Sequence, residues 1–93
     1  MLKAVIANDK KKSNLMLQEL INWNALGIEI VGMAESTEEA LGLIISTVPD
    51  IVVISARLKG MYGPDLVQKA RENGVSPAYI VVQGTRSCLL YTY

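Results

Sequence analysis

Four short apolar runs, each separated from the next by a segment of helical periodicity, predict an α/β domain built on an open parallel sheet. The runs are Leu2 to Ala7, Glu29 to Ala34, Ile51 to Ile54 and Tyr79 to Val82. The first is interrupted only by Lys3 and the third is continuously apolar and β-branched, which suits strands buried on two faces.

Between the first two strands, Met16, Leu17, Leu20 and Ile21 fall on one face of a helix, with Gln18, Glu19 and Asn22 on the other. The apolar face is expected to pack on the sheet. Trp23, at the end of that helix and before Leu26 and Gly27, reads as a packing anchor. After the second strand, Ser36 to Glu39 has the form of a capping box, and Ala40, Leu41, Ile44 and Ile45 supply the inward stripe of the helix that follows. Pro64 suits the first turn of a third helix, whose Leu66, Val67 and Ala70 face inward and which Asn73 and Gly74 terminate. The expected core is Val5, Leu20, Val31, Leu41, Ile44, Val52, Val53, Leu66 and Ile80.

With 93 residues and 51% of them apolar, the chain suffices for one domain and one modest core. Nine basic and nine acidic side chains cancel, so no global field draws it to nucleic acid or to an anionic membrane. Ala40 to Val48, the longest apolar stretch, contains Ser46 and Thr47 and is too short to cross a bilayer. The N-terminus lacks a signal-peptide core, and a cytoplasmic location is expected. Cys88 is the sole cysteine, which excludes an internal disulfide. The chain has no histidine, so histidine-activated serine and cysteine nucleophiles are excluded and an enzyme is not expected.

The segment PDIVVISARLKGMYG, from Pro49 to Gly63, resembles the third strand and following loop of a response-regulator receiver domain. VIANDKKKSNLMLQELINWNALGIEIVGMAESTEEAL, from Val5 to Leu41, is similar to that family's first strand, first helix, second strand and second-helix start. Trp23, Leu26 and Gly27 match the receiver branch commonly joined to an AraC-type helix-turn-helix domain. The resemblance implies a flavodoxin-like sheet, and with the right-handed crossover rule it gives the strand order 2-1-3-4. A β/α unit needs about 25 residues, so the fifth unit of the family does not fit here. The ending GTRSCLLYTY does not resemble the family's fourth helix and reads as an abrupt stop, by truncation or by a shifted reading frame.

In an open parallel sheet, functional groups collect at the carboxyl ends of the strands. Asn8 and Asp9 follow the first strand, Ser55 ends the third and Gln83 ends the fourth, so all are expected to meet in one cleft. The resemblance implies that this cleft is where receivers accept phosphate. There the family uses two acids after the first strand, an acceptor aspartate, a hydroxyl after the fourth strand and a lysine after the fifth. Here Asn8 replaces an acid, Ser55 the acceptor and Gln83 the hydroxyl; Asp9 alone matches. A carboxylate about 4 Å from a divalent ion contributes roughly 8 kcal/mol of attraction at an effective dielectric near 20. Loss of two of three is expected to abolish Mg²⁺ binding, leaving no cofactor. A serine hydroxyl needs an adjacent base that a chain without histidine lacks.

Asn8, Asp9, Ser55, Arg57 and Gln83 therefore mark a degenerate phosphoacceptor cleft. Lys10, Lys11 and Lys12 read as a solvated helix start, although with Lys59 they make the cleft neutral or basic. Gly60 and Gly63 are assigned to turn geometry. The expected function is a receiver-like domain of two-component signalling that acts by protein contact. A nonfunctional remnant of a transcriptional regulator, and an anion- or nucleotide-binding module using the lysines, are the alternatives; the second lacks a glycine-rich phosphate loop. Without a fifth strand, Tyr79 to Val82 is expected to form an open edge. Tyr79, Val81, Leu89, Leu90, Tyr91 and Tyr93 are then the candidate surface for a protein partner or for self-association as a dimer, with no membrane and no direct nucleic-acid contact.

Overall fold

A computed structural model describes residues 1–8, 15, 18–55, 58, 60, 63–83 and 89–92, with 63, 82, 83 and 89–92 as backbone. Its strands are β1 (Leu2–Ala7), β2 (Ile28–Ala34), β3 (Ile51–Ser55), β4 (Ala78–Gln83) and β5 (Leu89–Thr92). They form one sheet in the order β2-β1-β3-β4-β5. The first four are parallel and in the expected order 2-1-3-4.

Helix α1 (Thr37–Thr47) starts at Ser36, whose Oγ accepts the Glu39 N–H at 3.2 Å. The Glu39 carboxylate reaches back to the Glu35 N–H, at 3.5 Å, and not to the capping residue itself. Helix α2 (Gly63–Glu72) ends in a Schellman motif. The Val75 N–H donates to the Ala70 carbonyl at 3.0 Å and the Gly74 N–H to Arg71 at 2.9 Å, with Gly74 at φ 79°. Both helices cover the same face of the sheet. Ile44 and Ala40 of α1 and Leu66 and Ala70 of α2 are buried against Ala7, Ala34, Val52, Ile54, Tyr79 and Val81.

Leu15 and residues 18–20 are helical, and the chain then makes a 3-10 turn, Asn24–Leu26, closed by Gly27 at φ 73°. Ile21, Trp23, Ile28 and Ile30 share a groove on the opposite side of the sheet from α1 and α2. On that face Ala4, Ile6 and Val53 are buried.

Four expectations are corrected. Leu20 is 75% exposed and not core, because the helical run ends there and only a bend follows. Met16 and Leu17 lie outside the described residues. Ile45 is 40% exposed, since at about 100° per residue it turns away from the sheet that its neighbour Ile44 contacts. Val31 is only half-buried because it is the extra residue of a β-bulge: Ala4 pairs with Ile30 and Val5 with Gly32, which leaves Val31 without a partner. Leu41 and Ile80 are likewise half-buried, whereas Val5, Ile44, Val52, Val53 and Leu66 are core as expected.

The fourth correction concerns the sheet edge. β4 is not open, because β5 returns antiparallel along it, pairing Ile80 with Thr92 through Gln83 with Leu89. An antiparallel return needs only a hairpin connection, whereas a parallel one needs a crossover of a dozen residues or more. Tyr79 and Val81 are consequently not an interaction surface: they are 4% and 7% exposed and belong to the core. Leu89, Leu90 and Tyr91 lie in β5, and Tyr93 lies outside the described residues. The argument for a dimer through an open β4 edge falls with this pairing.

Candidate functional site

Strands β1, β3 and β4 are consecutive in the sheet, and their register brings their carboxyl ends level. Ala7 pairs with Ile54, so Asn8 lies one step beyond β1 beside Ser55, the last residue of β3. Ser55 pairs in turn with Val82, and Gln83 follows at the end of β4. The three positions therefore share one rim of the sheet, the carboxyl-end side on which open parallel sheets carry their sites.

The backbone holds this rim in place. The Asn8 N–H donates to the Ala34 carbonyl at 2.9 Å, which continues the β1–β2 pairing past the strand. The Ser55 carbonyl accepts the Leu58 N–H at 3.1 Å and so turns the chain away after β3. Asn8 and Ser55 are both half-buried. Asp9 and Arg57 lie outside the described residues, as do Lys10, Lys11, Lys12 and Lys59. Among the described residues, no three His, Cys, Asp or Glu side chains cluster.

One contact was not legible in the sequence. Gly60, in the loop after β3, has φ 108°, and a Cβ built there would collide with Oγ1 of Thr37 and Oε2 of Glu38. Its role is thus more than turn geometry: only a glycine lets the loop lie this close to the start of α1. Thr37 is buried and its hydroxyl donates to the Glu38 carboxylate at 3.3 Å. The available signal was that Glu39 alone serves the cap, which leaves Glu38 without a local partner in the motif.

No protein-family model matches the chain. The chain is 30% identical over 84 residues to YesN of Bacillus subtilis (strain 168), described as an uncharacterized transcriptional regulatory protein; the match covers 90% of this chain and 23% of that one. The REC domain of AraT, a response regulator from Geobacillus stearothermophilus, is 32% identical with a TM-score of 0.79, over 89% of this chain and 64% of that one. A two-component transcriptional regulator AraC from Clostridium phytofermentans ISDg has a TM-score of 0.77 at 24% identity, over 92% of this chain and 69% of that one, and so speaks for the fold. The chain thus spans under a quarter of YesN and slightly less than two thirds of the AraT domain. With the shared strand order and the sequence likeness to YesN and AraT, the chain has the receiver fold and resembles the receiver domains of response regulators.

Proposed function

We propose that this receiver domain does not accept phosphate and serves two-component signalling through protein contacts. The observation that carries the reading is Ser55 at the end of β3, beside Asn8 at the end of β1. An acyl phosphate needs a carboxylate at the acceptor position. A serine hydroxyl would need a base to activate it, and this chain has no histidine. Two neutral side chains on adjacent strands are also a poor donor set for Mg²⁺, which dehydrates reluctantly and favours carboxylates. On this reading the domain binds no metal and catalyses nothing.

The same reading places the domain in the cytoplasm, away from membrane and nucleic acid. Its nine basic and nine acidic groups cancel, and no helix among the described residues is long and apolar enough to cross a membrane.

Titration calorimetry with Mg²⁺ tests the metal half of the proposal. The wild-type chain is expected to give no saturable heat. The double substitution Asn8→Asp with Ser55→Asp is expected to bind at least about tenfold more tightly, because two carboxylates return to the rim. Saturable Mg²⁺ binding by the wild-type chain would refute the reading.

A further inference from the structure

β2 is the outer strand of the sheet and pairs with β1 alone. The Leu2 N–H donates to the Gly27 carbonyl at 2.9 Å, so residues 27 and 29 turn their backbone groups toward β1 and the alternate residues, Ile28 and Ile30, turn theirs outward. The Ile28 N–H is already taken by the Trp23 carbonyl at 2.9 Å. Among the described residues, the Ile28 carbonyl and the Ile30 N–H remain as an outward acceptor and donor on an edge with no neighbouring strand. An added strand uses such a pair.

Side chains beside this edge form a groove of about 540 Å³. Ile28 and Ile30 pair with Leu2 and Ala4 and so share one face, where Trp23 and Ile21 join them. Glu19 and Glu29 line the same groove and are exposed, and no Lys or Arg lines it among the described residues. An acidic rim around an apolar floor beside a free strand edge favours an occupant with the opposite charge. A second copy fits poorly, because two-fold pairing of β2 with itself brings two acidic rims together.

We propose that this groove binds an extended segment of a partner protein, added as a strand to β2, whose side chains on the groove face meet Trp23, Ile30 and the acidic Glu19, and whose alternate, basic side chains meet Glu29 from the other face of the strand. This deepens the protein-contact reading above. It can fail without touching the phosphate and Mg²⁺ tests.

Trp23 is the sole tryptophan, so its emission reports on the groove directly. The probes are two capped hexapeptides, one alternating lysine with valine and one alternating glutamate with valine. The lysine peptide is expected to shift Trp23 emission saturably, and the glutamate peptide is expected to leave it unchanged. The Glu19→Lys, Glu29→Lys double variant, with unchanged far-UV circular dichroism, is expected to weaken the lysine peptide by about tenfold and to respond to the glutamate peptide. Equal binding of both peptides by the wild-type chain would overturn the proposal, as would no response to the lysine peptide at millimolar concentration. A protein-concentration-dependent emission change without peptide would also overturn it, in favour of self-association.

Discussion

The hydroxyl of Tyr79 is buried with no hydrogen-bond partner among the described residues, and the ring sits in the main core. Burial raises its pKa above the ordinary value of 10.0, with nearby Arg71 pulling the other way. Tyr79→Phe removes an orphaned polar group without opening a cavity and is expected to raise stability by about 1 kcal/mol in urea unfolding. The neutral phenol is favoured in the folded state, so the wild-type chain loses stability as pH rises above about 10 and through the higher folded value. The phenylalanine variant lacks that loss, and the gap between the two is expected to widen in alkaline solution. Val48 is the second strained position. It closes α1 at φ 47°, the one positive φ outside glycine among the described residues, and is 55% exposed. A β-branched residue there is costly, and Val48→Gly is expected to stabilise by about 1 kcal/mol in the same assay. Neither feature was legible in the sequence: Tyr79 read as a strand residue at an open edge, and Val48 read only as the end of the apolar stretch from Ala40, with nothing to mark it as left-handed.

Among the elements, the starts of β1, β3 and β4 are fastened by Asp50. Its carboxylate accepts the Lys3 N–H at 2.8 Å, its N–H donates to the Lys3 carbonyl at 2.8 Å, and its carbonyl accepts the Ala78 N–H at 2.9 Å. The Lys3 ammonium donates to the Thr47 carbonyl at 2.6 Å and so caps the end of α1. Asp50→Ala keeps the two backbone bonds and orphans one amide; a loss of about 1–2 kcal/mol in urea unfolding is expected. Lys3 had read only as an interruption of a buried strand, which shows what periodicity misses: it finds the strand and not the polar work done at its end. The four parallel strands were legible because β-branched runs such as Ile51 to Ile54 have few other uses. β5 was not, since Leu89 to Thr92 is a short apolar run that fits a helix as well as a strand and pairs through its backbone. The bulge at Val31 had a signal in its neighbour Gly32, an isolated glycine within a strand pattern.

For the whole molecule, the strand order decides what the site can be. Placing β1 between β2 and β3 sets Asn8 beside Ser55, so the juxtaposition followed from the alternation of elements and the crossover rule before any side chain was placed. Which residue types end these strands was legible for the same reason: they are read directly from the chain. The approach of Gly60 to Thr37 and Glu38 was not, because it joins a loop to a helix start more than twenty residues away in sequence. The two edges of the sheet also differ. β5 covers one, and among the described residues no strand pairs with the outer side of β2 at the other. A receiver fold with Ser55, and no carboxylate, at the end of β3 is expected to take no phosphate, and intact-mass measurement after incubation with Mg²⁺ and a small phosphodonor tests this most directly. An unchanged mass is the predicted result; a single added phosphate located on Ser55 would contradict the account.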